Sequence, residues 1–201
     1  MTVQFREFGL DDLDAVAAMA DDIWFRNEYG PKNSFPMSYL YVYDCLRKQT
    51  STVVAEENGR VVGIVSVRDH TKRSSKPIKK KDVKLYARDF LVTDESESLI
   101  QLYTMFNRQN DKMVKDCGLR GKDEILLLMV DITMRGRGLG KELFRKAMEQ
   151  FSGKKGRRGY VLTDSACNYI FYDKVGCELV EHATMDFGGT PLKTMLYSFK
   201  Y

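Results

Sequence analysis

The sequence predicts a mixed α/β (α+β) fold, with one central sheet of about six or seven strands flanked by helices. Three observations carry that expectation. Residues 125–130, Ile-Leu-Leu-Leu-Met-Val, are an unbroken apolar run of strand length, the pattern of a strand buried on both faces. From Leu139 onward, Leu139, Leu143, Phe144, Ala147, Met148 and Phe151 recur at helical spacing. Between them, Asp131 to Gly140 is a turn rich in glycine and arginine. A buried strand that enters a helix through a glycine turn can receive a phosphate. The first-turn N–H groups and the positive end of the helix dipole face the turn there.

The 201 residues suit a single domain, 1–201. A hydrophobic share of 43% supports a sizeable core. The net charge of +4 suits an anionic ligand without calling for nucleic acid. Cys45, Cys117, Cys167 and Cys177 are scattered, and the histidines are His70 and His182, so no metal site is expected. The N-terminus lacks a basic-then-apolar leader, and no apolar run has membrane length. The expectation is a soluble cytoplasmic protein with no membrane partner.

In chain order, Val3 to Phe8 alternates as a first strand, ended by Gly9. Asp11 or Asp12 can cap a helix whose inner face is Leu13, Val16, Ala17, Ala20, Ile23 and Trp24. Asn27 to Pro36 reads as a loop turning at Gly30-Pro31, followed by a second helix over 37–48. Phe35, Tyr39, Tyr41 and Tyr43 read as core and lid. Thr52–Glu56 and Val61–Val67 form a hairpin across Asn58-Gly59, the strongest short hairpin signal. Lysines and arginines crowd residues 72–84, which reads as a solvated loop or, failing that, a contact for an acidic partner such as RNA. Without aromatics inside the run, nucleic-acid stacking has no platform, which argues against that partner. Val83 to Val92 contains a strand-like piece of uncertain type. Asp94 and Glu97 form a capping-box variant before a helix carrying Leu99, Leu102, Tyr103, Phe106, Met113, Val114 and Cys117, with Gly118 as its stop. After the central strand, turn and helix come a basic loop, a strand at Tyr160–Thr163 and a short helix at Asn168–Lys174 closed by Gly176. Strands at Cys177–Phe187 and Thr194–Tyr201 follow, joined by a longer loop.

Three phosphate-loop templates compete for the central turn. A Walker loop fails because Gly136 to Gly140 is one residue short and Glu142 follows Lys141. A dinucleotide fingerprint fails because Lys141 stands where its third glycine belongs. The third template fits. Arg135-x-x-Gly138-x-Gly140 directly after a buried strand resembles the acetyl-CoA pyrophosphate loop of the GNAT N-acetyltransferases. The whole stretch Val130-Asp-Ile-Thr-Met-Arg-Gly-Arg-Gly-Leu-Gly-Lys141 resembles that family's strand-to-helix crossover. A second landmark, Asn168-Tyr-Ile-Phe171-Tyr172-Asp-Lys-Val-Gly176-Cys177, resembles the family's aromatic-Tyr pair followed by a glycine. Here Cys177 replaces the usual aromatic, and Ser165 stands where the family's asparagine usually lies. The element order also resembles the GNAT fold. Residues from roughly 68 to 120 look like an insertion of a basic loop and helix before the central strand.

The resemblance implies acetyl-CoA as cosubstrate and a small-molecule or peptide amine as acceptor, joined by direct attack in a ternary complex. The turn residues Arg135, Gly136, Arg137, Gly138, Leu139, Gly140 and Lys141 would hold the pyrophosphate. Val130 and Ile132 would offer a free strand edge to the pantetheine arm, and a backbone amide near Val130 would polarise the thioester. Asn168 is a further cosubstrate contact. Tyr172 matches the family's general acid, and a phenol can reprotonate a thiolate at little cost. The base is not visible: Glu124, Asp131 and Asp164 each read as surface carboxylates. Cys167 reads as a buried thiol. A non-catalytic acyl-CoA-binding or regulatory module on the same scaffold is the alternative, and exposed strand edges leave room for a homodimer.

Overall fold

The computed structural model describes residues 3–75, 94–151, 157–187 and 189–201; the side chains of 27–33, 94–96 and 187 lie outside that description. The strand-like piece at 83–92 and most of the basic run at 72–84 fall outside the described residues. The protein has the expected mixed sheet, with seven strands among the described residues. They are β1 (Gln4–Glu7), β2 (Ser51–Glu57), β3 (Arg60–Arg68), β4 (Asp123–Val130), β5 (Arg158–Asp164), β6 (Glu178–Phe187) and β7 (Thr190–Lys200), in the spatial order β1-β2-β3-β4-β5-β7-β6. Every neighbouring pair is antiparallel except β4 and β5. Helices α1 (Leu13–Ala20), α2 (Arg26–Leu46) and α3 (Asp94–Asp116) serve one face; α4 (Leu139–Gln150) and α5 (Ile170–Lys174) serve the other. Among the described residues no helix is long and apolar enough to cross a membrane.

Local chemistry accounts for most of the boundaries. Asn58 and Gly59 both adopt positive φ (54° and 76°), so the β2–β3 turn has the twist that a two-residue hairpin requires. Gly118, at φ 67°, ends α3: Leu119 N–H bonds back to the Val114 carbonyl at 2.9 Å and Gly118 N–H to Lys115 at 3.0 Å.

Two expectations need correction. Residues 27–36 are not a loop. One helix runs from Arg26 to Leu46 through Gly30-Pro31 and Pro36, entered from a wide π turn at Asp21–Phe25. Each proline removes a single donor, while Phe25, Met37, Tyr39 and Val42 are buried in the core cluster at either end of the segment. The Tyr39 hydroxyl also donates to Asp14 at 2.7 Å, tying α2 to α1. The closing hairpin is likewise tighter than expected. β7 begins at Thr190, and Pro191 pairs with Asp186 beyond the last β5 pair, Asp164 with Thr194, where one edge of β7 is open and a missing N–H costs little.

The central strand departs from its expected uniform burial in a way that sets up the site. β4 pairs Ser66 with Leu127 and then Val67 with Ile125, leaving Leu126 as an extra residue. The bulge reverses the alternation of side chains. Leu128 and Val130 pack with Ile125 toward α4, whereas Leu126, Leu127 and Met129 pack toward α1 and α2. β4 and β5 stay together only from Asp123–Ile125 against Gly159–Val161. Beyond the bulge the two parallel strands separate and open a gap in the middle of the sheet.

That short pairing needs Gly159. A Cβ there would lie 2.5 Å from Phe199 Cε2 and 2.9 Å from the Asp123 carbonyl oxygen. Gly159→Ala is therefore expected to destabilise the fold by about 1–3 kcal/mol, the usual cost of overpacking a core. A thermal melt within a degree of the wild type would contradict this close approach.

Candidate active site

A cavity lies on each side of the gap between β4 and β5. The first, about 400 Å³, runs along β4 from Leu126 to Val130 and reaches the turn before α4. Asp131 shapes that turn. Its N–H bonds to the Val62 carbonyl at 3.0 Å, and its carboxylate accepts the Thr133 N–H at 2.8 Å and the Thr133 hydroxyl at 2.6 Å. The chain then makes a short 3-10 turn at Ile132–Met134 and enters α4 through Gly136 (φ 78°) and Gly138 (φ 81°). The Gly138 carbonyl takes the N–H groups of Lys141 and Glu142, so the N–H groups of Gly138, Leu139 and Gly140 are left at the open helix end.

The two inner glycines stand in different surroundings. Gly138 needs its left-handed backbone, and a Cβ there would meet nothing within 4 Å. Gly140 lies against the ring with which α5 leans on α4, and a Cβ there would meet Phe171 Cε2 at 3.4 Å, an ordinary contact.

Of the residues singled out from the sequence, Val130, Arg135, Gly136, Gly138, Leu139, Gly140, Lys141, Asn168 and Tyr172 line this cavity together. Ile132 and Arg137 are not in its lining. Ile132 is 60% exposed on the 3-10 turn, having left the strand. Arg137 turns away to Glu57, 2.8 Å from Oε1, and clamps the turn to the β2–β3 hairpin. The side chains of Arg135 and Lys141 line the cavity without an ion pair among the described residues.

Tyr172 is 7% exposed, its ring 5.5 Å from that of Tyr197 and 5.3 Å from that of Phe171. Burial pushes its phenol well above the ordinary range and keeps it protonated. Cys167 lies between the Thr163 hydroxyl (3.0 Å) and the Asp164 carbonyl (3.3 Å), and burial raises its thiol to about 12. It stays a thiol at neutral pH and is a poor nucleophile. Ser165 bonds to the Lys193 N–H of β7 at 3.1 Å and does not line the first cavity.

The second cavity, about 640 Å³, opens on the α1–α2–α3 face. Both cavities share Trp24, Tyr41, Leu126, Thr163 and Asp164, so they meet at the bulge and the end of β5. Asp164 accepts the Ala166 N–H at 2.9 Å, which fixes its carboxyl, and the Trp24 indole N–H points toward it without closing a bond of normal geometry. Burial raises the carboxyl of Asp164, and it raises that of Glu124 in the second cavity, which pairs with Tyr160 across β4 and β5. Neither is the surface carboxylate expected from the sequence. Asp131 is the outer one of the three, ion-paired with Arg60 at 3.5 Å. Sequence reasoning also missed the contribution of α3. Tyr103, Phe106, Asn107, Asn110 and Asp111 recur at helical spacing along the wall of the second cavity. Among the described residues no group of three or more His, Cys, Asp or Glu is placed to hold a metal.

Comparison with known proteins agrees with this fold. The model of the acetyltransferase (GNAT) family matches residues 17–176. Comparison with curated proteins finds no match. Solved structures of similar fold include an N-acetyltransferase from Staphylococcus aureus Mu50, with 13% identity over 100% of this chain and 99% of that one and a TM-score of 0.58. A ribosomal-protein-alanine N-acetyltransferase from Brucella melitensis aligns at 16% identity over 98% and 99%, with a TM-score of 0.58. A mosquito arylalkylamine N-acetyltransferase like 5b aligns at 19% identity over 98% and 100%, with a TM-score of 0.57.

Proposed function

The chain belongs to the GNAT acetyltransferase family, and on that premise we propose that it transfers an acetyl group from acetyl-CoA to a primary amine in a ternary complex, with Asp164 as base and Tyr172 as acid. The observation that carries this reading is the meeting of two cavities, one from each side of the sheet, at the gap between β4 and β5. A thioester can enter by one and an amine by the other.

The residues of the first cavity suit the cosubstrate. The open N–H groups at Gly138–Gly140, together with Arg135 and Lys141, offer a cradle for a pyrophosphate. Because the Asp131 N–H is turned to β3, strand alternation turns the N–H groups of Val130 and Leu128 to the open edge, where an amide-rich arm can pair as an added strand. An arm that starts at the turn and follows β4 brings its thioester to the bulge at Leu126 rather than to Val130. The two cavities join at that bulge.

The amine arrives protonated and gives its proton to Asp164. Its nitrogen then attacks the acetyl carbonyl; the C–N bond forms, the C–S bond breaks, and the thiolate takes the Tyr172 proton. The second proton, lost by the new amide nitrogen, returns through water to the Tyr172 phenolate while Asp164 releases its own to solvent. Burial makes Tyr172 a weaker acid than a free phenol. A thiolate formed in the same apolar surroundings is destabilised for the same reason, so the transfer keeps its driving force.

A thiol-release assay over an amine panel tests the reading. Tyr172→Phe is expected to bind acetyl-CoA as the wild type does and to lose about 10²–10⁴-fold in kcat, the usual worth of a positioned acid. Unchanged turnover would remove Tyr172 from the mechanism. Acetyl-CoA binding with no thiol release from any amine would favour the non-catalytic acyl-CoA module.

A further inference from the structure

The second cavity carries an imbalance of charge that the chemistry of acetyl transfer does not require. Its two cations, Arg47 and Lys48, are both paired with Asp44, at 2.6 Å and 3.1 Å. Asp22 is paired with Arg26 at 2.6 Å. Asp111, Glu124 and Asp164 are left without an ion pair among the described residues. Only Asp164 lies at the junction with the first cavity. Glu124 sits opposite Tyr160 in the β4–β5 pairing and feels the positive charges of Lys48 and Arg68 as well as the negative charge of Asp111. Asn110, 6% exposed, adds a side-chain oxygen with no hydrogen-bond partner on the same stretch of α3.

The strand geometry separates the two ends. Asp164 lies four residues beyond Tyr160 on the same face of β5, which at the rise of an extended chain is on the order of 13 Å. Trp24, Tyr41 and Tyr103 line the cavity with aromatic rings that accept a methylene chain or a cation face-on.

Resting on the acetyltransferase reading above, we infer that the acceptor is a linear amine with a second cationic group, a di- or polyamine, whose reacting nitrogen meets Asp164 while its distal ammonium is held by Glu124 and Asp111. A distal carboxylate would meet unpaired anions, and a distal methyl would leave them unmatched.

The test compares 1,8-diaminooctane, octylamine and 8-aminooctanoate, which share a chain and differ only in the distal group. The expected order of kcat/KM is diamine, then monoamine, then amino acid, with the diamine ahead of the monoamine by about tenfold or more. In the double variant Glu124→Gln/Asp111→Asn that ratio is expected to fall to about threefold or less, chiefly through the KM of the diamine. Calorimetric binding of acetyl-CoA to the variant checks that it is folded. Octylamine equal to the diamine, an undiminished ratio in the variant, or preference for an alanine-initiated peptide would overturn the inference while leaving acetyl transfer standing. Thiol release from none of the amines, with acetyl-CoA bound, would overturn both.

Discussion

Gly138→Asp is expected to remove acetyl-CoA binding while leaving a folded protein. The left-handed backbone at φ 81° is strained for any side chain, but the space around a Cβ is empty to 4 Å, so the cost is conformational alone. It amounts to about 1–2 kcal/mol, less for Asp and Asn, which visit that region more readily than other residues. In a chain of this length that lowers Tm by roughly 2–4 °C per kcal/mol. The effect on the ligand is larger. The new carboxylate stands at the helix end with the open N–H groups of Gly138–Gly140, and on the proposed reading it replaces their attraction for a pyrophosphate by repulsion. A loss of about 100-fold in affinity, some 2.7 kcal/mol, is the least expected by calorimetry. Gly138→Asn is the control, with the same backbone demand and no charge, and is expected to bind within about tenfold of the wild type. Equal losses in both variants would trace the effect to backbone shape. Normal binding by the Asp variant would place the pyrophosphate elsewhere.

The second large effect is expected at Asp164. Asp164→Asn keeps an oxygen for the Ala166 N–H but cannot take a proton, so kcat/KM is expected to fall about 10²–10⁴-fold with acetyl-CoA affinity preserved. Because burial raises the carboxyl of Asp164, the rising limb of the wild-type pH–rate profile is expected above the usual carboxylate range. That limb should disappear in the variant. The stability change has a definite sign. The unfolded chain loses this proton at the ordinary carboxylate pKa, while the folded chain holds it to a higher pH. The carboxyl therefore costs stability progressively as pH rises between those two values, and the cost stays constant above them. Asp164→Asn is expected to melt at or above the wild-type temperature at neutral pH, with the difference vanishing in acid. A variant that turns over at the wild-type rate would assign the base to another group, and a lower Tm at neutral pH alone would contradict the buried-charge account.

The two experiments probe parts of the site that were unequally legible. The turn at Arg135–Lys141 is local. Glycine conformations, the helix start and the positive charges are encoded within ten residues, and comparison of spacings was enough to reject the Walker and dinucleotide forms. Tyr172, which lines the first cavity, was read the same way, from its own short motif. Even there the side chains were partly hidden, since Arg137 looks like its neighbours in sequence yet is taken up by Glu57, a residue of the distant hairpin. The carboxylates were harder. Strict alternation along β4 puts Glu124 on the same side as Leu128 and Val130. The bulge at Leu126 turns it to the opposite face, and the bulge depends on how β3 pairs with β4. Asp164 looked like a strand end because nothing local shows that β5 parts from β4 there.

By itself the sequence determined the mixed fold, the β2–β3 hairpin, the strand–turn–helix and the family, because each rests on periodicity or on backbone demands felt within a few residues. Only the tertiary structure decided that residues 26–46 form one helix. It alone made the extra residue in β4 open a gap against β5, so that two cavities meet at Asp164. It also brought the polar face of α3 over the second cavity. These features depend on pairing and packing between segments far apart in the chain, where long-range contacts override local propensity at Gly30-Pro31 and local alternation at Leu126.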